Sequence, residues 1–365
     1  MKEQEILSRL RRLRAKDPFF GDGKILSSVS TKPLDVSLEA FKIFADTNAL
    51  DTHIFSSVKI LENEVIGWLG ELLKNPNAYG YVTTGGTEAN IYALWVAKEN
   101  HPDKHEIVAP RSAHYSIEKA ARMMNLDIRR VEVDDNFRAK PDSIRKSISE
   151  DTLAVVLTAG TSALGMVDPV EEITEFCDNV FVHVDAAFGG FIIPFLDRER
   201  VDFSLDNVDS ITVDPHKMGM CPIPSGSILF RDNSLVDGIK FNPTYLPIET
   251  QTLVGTRSGG AIAATWATIM RLGFDGYKKI AGQCMQNTAL LCDELGKNHI
   301  HTVVEPDLNI VGIKVANPRE VVDSLNRKGW KVSAIREPRC VRVVVMPHVK
   351  TEHIKKFVSD LGRAI

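Results

Sequence analysis

Between about Leu61 and Leu229, short apolar runs alternate with segments of helical periodicity. The runs lie at Ile107–Ala109, Ile128–Val133, Leu153–Thr158, Val180–Val184, Ser210–Val213 and Ser227–Phe230. Helical patterns fall between several of them, at Glu88–Glu99, Ser116–Met124 and Pro141–Ser149. The runs at Leu153 and Val180 are apolar without interruption, as a strand must be when helices cover both of its faces. This alternation predicts an α/β chain built on a mainly parallel, doubly wound sheet.

After Gly273 the pattern changes. A long helix over Tyr277–Leu295 precedes strands near Val303, at Ile310–Val315, Lys331–Ile335 and Val341–Met346, with helices at Arg319–Lys328 and Thr351–Leu361. This reads as a small α+β domain of about the minimum independent size. The expected division is an N-terminal arm over 1–45 added to a large domain over 46–273, then a small domain over 274–365. The arm opens with a short amphipathic helix, basic at Arg11, Arg12 and Arg14, expected to pack on the body or on a partner subunit.

Composition narrows the function classes. Lys and Arg total 44 against 48 Asp and Glu in 365 residues, a net charge of −4. Nucleic-acid binding needs a clustered cationic surplus, so no nucleic-acid partner is expected. No apolar run approaches the roughly 20 residues of a membrane span. The most apolar stretch, Phe181–Leu196, carries His183 and Asp185 and reads as buried interior. The N-terminus lacks the apolar core of a secretion signal. The five cysteines form no C-x-x-C pair, which argues against a disulfide framework and a zinc site. A cytoplasmic protein without membrane partner or metal is expected.

Three segments carry chemistry. In "YVTTGGTEANIYALWVA", Gly85 and Gly86 precede Thr87 and a helix. Backbone N–H groups exposed at the positive end of a helix dipole suit a phosphate, although a glycine pair also serves tight turns. In "VFVHVDAAFGG", Asp185 ends an apolar strand and small residues follow. A buried carboxylate costs several kcal/mol unless paired, so a cation is expected against it; the alternative is a helix N-cap. In "SITVDPHKMG", Lys217 lies just beyond another strand. It is either a surface lysine or a desolvated amine able to form a Schiff base. Ligands of open α/β sheets bind beyond the carboxyl ends of strands, where all three segments fall. Pyridoxal 5′-phosphate needs all three: an anion site for its phosphate, an acid for its ring nitrogen and an amine for its aldehyde.

The ordered motifs "TTGGTEAN", "SAHYSIEKA", "HVDAAFGG" and "DPHK" resemble the group II pyridoxal-phosphate-dependent amino acid decarboxylases, of the aspartate aminotransferase fold (PLP-dependent transferase fold type I). The likeness runs from about residue 55 to the end and is most similar to the archaeal tyrosine/aspartate decarboxylase branch. It implies that Lys217 carries the cofactor as a Schiff base, Asp185 partners the pyridine nitrogen, Ala187 lies under one ring face and His114 stacks on the other. Gly85, Gly86, Thr87 and His216 then meet the phosphate, and Thr161 lies near the ring hydroxyl and the substrate carboxylate. Tyr245, framed by Pro243 and Pro247, matches a loop tyrosine that protonates the substrate carbon. Arg257, in "GTRSGG", is either a substrate-carboxylate grip or a structural contact, and His53 is a candidate for the substrate pocket. Arg342 matches the carboxylate-binding position of transaminases, with packing the stronger reading on an alternating strand.

The implied activity is decarboxylation of L-tyrosine to tyramine or L-aspartate to β-alanine, serving methanofuran or coenzyme A biosynthesis, in a homodimer with shared active sites. Glutamate decarboxylation, a carbon–carbon lyase resembling sphingosine-phosphate lyase, and a non-catalytic protein of the same fold stand as alternatives.

Overall fold

The structure, a computed structural model, describes residues 1–244 and 246–365. Seven strands form one sheet: β1 (Tyr79–Thr83), β2 (Glu106–Pro110), β3 (Asp127–Val131), β4 (Thr152–Thr158), β5 (Phe181–Asp185), β6 (Ser210–Val213) and β7 (Gly226–Phe230). Their order is β1-β7-β6-β5-β4-β2-β3. The pairs from β3 to β6 are parallel, whereas β7 runs antiparallel to both β6 and β1. The six expected strands all form. The unexpected one, β1, carries Gly80, where a Cβ would meet the Ile228 carbonyl oxygen at 2.0 Å. A glycine demanded by close backbone approach weakens the apolar signal of a strand.

Register places the chemistry. Thr158 pairs with Asp185, and Asp185 with Thr212, so the carboxyl ends of β4, β5 and β6 reach one edge together. The helix Gly86–Asn100 lies on this sheet through Ala89, Ala93 and Ala97, all fully buried. Alanines four residues apart share one helix face, and their small side chains permit close approach to the strands.

The chain divides into two units: residues 33–283 with 305–308, and residues 1–32 with 284–304 and 309–365. The second unit holds a three-stranded antiparallel sheet, order β8-β10-β9, of β8 (Ile310–Ile313), β9 (Ser333–Ile335) and β10 (Cys340–Val344). The N-terminal residues belong here and not to the large unit as expected. Ile25 bridges Lys331 in parallel, the Leu26 N–H donates to the Lys331 carbonyl at 2.8 Å, and the Val344 N–H donates to the Leu26 carbonyl at 2.7 Å. Backbone pairing, which apolar patterning does not reveal, decides the matter. The expected boundary at Gly273 is a break inside the helix Gly259–Lys297, with φ 57° at that glycine, and the division falls ten residues later, at Gln283.

The helix Glu3–Arg14 has no buried residue, and Ile6, Leu7, Leu10 and Leu13 are exposed. Arg342 is buried in the same unit, where its guanidinium donates to the Ser27 carbonyl at 3.0 Å and burial lowers its pKa to about 10. Among the described residues no helix is long and apolar enough to cross a membrane.

Candidate active site

A cavity of about 320 Å3 opens at the carboxyl edge of β4, β5 and β6. It is lined by Gly85, Gly86, Thr87, His114, Asp185, Ala187, His216 and Lys217, eight of the residues expected from sequence. Thr158, Asn90 and Asp214 line it as well.

Gly85 has φ 156°, and a Cβ there would stand 3.1 Å from the His216 ring. A Cβ on Gly86 would stand 2.9 Å from Asp214 Oδ2 and 3.1 Å from the Ala187 Cβ. Glycine at both positions keeps the start of the helix Gly86–Asn100 open to the cavity. The Thr84 N–H and hydroxyl both donate to Glu88 Oε2, at 2.8 and 2.7 Å, which ties down the turn entering this helix. The free N–H groups of the first helical turn and the dipole behind them form an anion site.

Asp185 is buried at the end of β5. Its Oδ2 accepts from Asn90 Nδ2 at 2.8 Å and its Oδ1 from the Ala187 N–H at 3.1 Å. Among the described residues these donors are neutral, so the expected cation is not supplied by a described side chain within hydrogen-bond reach. A ligand with a protonated ring nitrogen fits that requirement. The Thr158 hydroxyl, buried and lining the same cavity, has no hydrogen-bond partner among the described residues. A buried hydroxyl without a partner costs about 1–3 kcal/mol, which a polar ligand here would recover.

Lys217 lies three residues beyond Asp214, and its Nζ stands 2.9 Å from Asp214 Oδ2. Asp214 is 2% exposed and Lys217 20%, so the pair is largely shielded while the amine borders the cavity. Sequence reasoning passed over Asp214 and Asn90. The signal for the first is a two-residue polar alternation, Ser210, Thr212, Asp214, at the end of an otherwise apolar strand. For the second it is the position of Asn90 one helical turn after Gly86.

Burial lowers the pKa values of His114 and His216, with Asp185 and Asp214 respectively opposing the shift. The Ser225 N–H donates to His216 Nδ1 at 3.2 Å. His183, two residues before Asp185 on the same strand, is completely buried, and desolvation lowers its pKa to about 4. Its ordinary value is about 6.5, so the unfolded chain binds a proton across pH 4 to 6.5 that the folded chain refuses. This group therefore stabilises the fold above that window and ceases to do so as pH falls through it. Denaturant unfolding at pH 4.5 and 7 should show wild type gaining about 2–3 kcal/mol relative to His183→Gln on going to the higher pH. A constant difference between the two proteins would refute the assignment.

Three expected residues lie elsewhere. Thr161 turns away from the cavity: its hydroxyl accepts from the Met166 N–H at 3.0 Å and closes the loop after β4, while Gly160 and Ser162 on either side line the cavity. Arg257 is also absent from the lining. It is buried in a two-pronged ion pair with Glu62, donating from Nη2 to Oε2 at 3.1 Å and from Nη1 to the Val82 carbonyl at 3.2 Å. Its guanidinium stacks on the Tyr81 ring, 5.0 Å from the centroid. Burial opposes its charge, but Glu62 outweighs burial and its pKa rises. His53 is exposed and does not line the cavity. Tyr245 lies outside the described residues.

Fold and site together define an α/β enzyme that uses pyridoxal 5′-phosphate: the anion-binding helix start, the buried carboxylate and the shielded lysine meet at one sheet edge. Residues 42–315 match the family described as the pyridoxal-dependent decarboxylase conserved domain. A relative from Methanothermobacter thermautotrophicus, described as a probable L-tyrosine/L-aspartate decarboxylase, is 45% identical over 353 residues, covering 94% of this chain and 97% of its own length. The solved structure of Burkholderia pseudomallei sphingosine-1-phosphate lyase superposes with a TM-score of 0.91 at 24% identity, covering 100% of this chain and 90% of that one. Lactobacillus brevis glutamate decarboxylase gives 0.90 at 22% identity, covering 100% and 92%. The chain belongs to the pyridoxal-dependent decarboxylase family and catalyses PLP-dependent decarboxylation of an amino acid.

Proposed function

We propose that the substrate is L-tyrosine, L-aspartate or both, giving tyramine and β-alanine. The observation that carries this is the union of the Lys217 cavity with 45% identity to a relative described by those two substrates. The two superposed structures, both below 25% identity, support the fold alone.

Bound pyridoxal 5′-phosphate supplies a cationic ring that takes up the electron pair released when the bond from Cα to the carboxylate breaks. Lys217, whose Nζ borders the cavity, would hold the cofactor covalently. Asp185 keeps the ring nitrogen protonated, and Asn90 and the Ala187 N–H fix the direction of its carboxylate. The helix start at Gly85, Gly86 and Thr87, with His216, holds the phosphate. By the family resemblance His114 would cover one face of the ring and Ala187 would leave room at the other; both line the cavity. Tyr245, on the strength of the family resemblance, returns the proton to the substrate carbon.

The functional unit in this reading is a homodimer. The uncovered apolar face of the helix Glu3–Arg14, with Ile6, Leu10 and Leu13 exposed, supports it. Cytoplasmic residence and service to methanofuran or coenzyme A biosynthesis accompany the same reading.

The test is release of carbon dioxide and amine from tyrosine, aspartate and glutamate by cofactor-loaded protein. Tyramine or β-alanine should form at least about tenfold faster than 4-aminobutyrate, the discrimination expected of a pocket shaped for one side chain. Turnover of glutamate alone would overturn the substrate assignment.

A further inference from the structure

Behind the cavity wall a chain of buried polar side chains leads from Asp185 to His114. Asn90 is its node. Its Nδ2 donates to Asp185 Oδ2 at 2.8 Å and to Ser116 Oγ at 2.9 Å. Its Oδ1 accepts from Thr212 Oγ1 at 2.7 Å and from His183 Nε2 at 3.0 Å. Ser116 Oγ lies 2.9 Å from His114 Nδ1, and the Ser116 N–H donates to the same nitrogen at 3.3 Å.

The directions of these bonds follow from the Asp185 carboxylate at one end and the Ser116 backbone N–H at the other. An ionised carboxylate accepts only, so the amide edge of Asn90 facing Asp185 is its NH2. Both Nδ2 protons are then used, one on Asp185 and one on Ser116. The Ser116 backbone N–H donates to His114 Nδ1, which marks that nitrogen as an acceptor, so Ser116 Oγ, which accepts from Asn90, gives its own proton to it. That nitrogen receives two donors and carries no proton. A neutral imidazole has one N–H, which therefore stands on Nε2. At the other end, His183 gives its Nε2–H to Asn90, and Ser210 Oγ, 2.8 Å away, serves its Nδ1.

We infer that Asn90 is a positioning residue that couples the two sides of the cofactor site: it aims the Asp185 carboxylate and, through Ser116, fixes His114 as the neutral Nε2–H tautomer. The inference rests on the reading of this cavity as the cofactor site. His114 in this state donates a hydrogen bond through Nε2. It cannot take up a proton at Nδ1 without losing the bond from the Ser116 hydroxyl and facing the Ser116 backbone N–H with a second N–H. The charged groups around the imidazole are Asp185, Lys217, Asp214 and Lys119, with burial the dominant influence holding it neutral.

Histidine 15N NMR of the cofactor-loaded protein tests the tautomer directly. The His114 signals, identified by their loss in His114→Gln, should show a protonated Nε2 and an unprotonated Nδ1 at neutral pH. Ser116→Ala leaves Asp185 untouched. It should turn the single tautomer into a mixture and raise the His114 titration midpoint, with cofactor affinity within about twofold of wild type. Asn90→Ala should produce the same loss of tautomer and also weaken cofactor binding, by about tenfold for one lost charge-assisted hydrogen bond. A proton on Nδ1 in the wild type, or an unchanged spectrum in Ser116→Ala, would sink the relay. The cofactor-site reading fails separately, if Asp185→Ala binds pyridoxal phosphate as tightly as wild type.

Discussion

Lys217→Ala is expected to lose the visible absorbance of the lysine-bound cofactor and to lower turnover by about 10³-fold or more, the scale of losing an activated nucleophile. No other lysine lines the cavity among the described residues, so no second amine is placed to carry the cofactor. The substitution has a second consequence that needs its own control. Asp214 is almost completely buried and its ion-pair partner is Lys217 Nζ, 2.9 Å away. Removing the lysine leaves that carboxylate, among the described residues, with the more distant His216 ring as its one ion-pair partner, 3.7 Å off, and breaking one side of a buried pair destabilises a fold. Lys217→Arg separates the effects. A guanidinium restores a cation beside Asp214 but does not form the covalent link, so this variant should unfold near wild type and be as inactive as the alanine variant. Turnover within about tenfold of wild type in either variant, with cofactor present, would remove Lys217 from the chemistry.

Arg257→Met is expected to cost about 3–5 kcal/mol of stability, because it strands Glu62 as an unpaired buried charge. Glu62 also accepts from the Val82 N–H at 2.9 Å, so it anchors β1 as well as the arginine. The pair should consequently behave as a unit. Arg257→Met combined with Glu62→Gln removes both charges but keeps an acceptor for Val82, and it should recover most of the loss. Denaturant unfolding of the two single variants and the double variant forms the cycle that measures this coupling. A substrate grip by Arg257 predicts the opposite pattern, with unfolding unchanged and a raised KM for the amino acid. The sequence admits both roles, since an arginine in a glycine-rich segment does not reveal whether a carboxylate lies opposite it. Glu62 stands 195 positions earlier in the chain, on the helix Ser56–Leu72, whereas Arg257 lies in a loop.

What was legible in the sequence follows this division between local and distant pairing. The strands β4 to β7 announce themselves because every position in them is buried and most are apolar, whereas β2 and the edge strand β3 show shorter apolar runs. The site residues at their ends are legible because Asp185 and Lys217 bring charge to the carboxyl ends of strands with no charged residue before them. Thr161 misled because it sits in the right loop, and only the turn geometry shows that its hydroxyl closes on Met166. His53 misled because a polar residue in a loop near the pocket segment looks the same whether it faces ligand or water. Asn90 was hidden because its four partners come from three other elements, β5, β6 and the helix Ser116–Met124. The N-terminal residues were assigned to the wrong unit because a bridge between Ile25 and Lys331 leaves no periodic trace.

The tetrapeptide Glu305–Leu308 belongs to the large unit although the chain on both sides of it belongs to the other. Its Asp307 is 5% exposed, pairs with Arg138 and Arg198, and accepts from the Val167 N–H at 3.0 Å. Chains are synthesised from the N-terminus, and domains generally fold as units as they emerge. Here the loop after β4 waits for a residue made 140 positions later than Val167. The large unit therefore cannot reach its final state before residues 305–308 have left the ribosome. A fragment cut at the break in the long helix at Gly273 would leave Arg138 and Arg198 facing an acid that is not there. In this chain the order of synthesis and the order of completion diverge, and the two units must mature together.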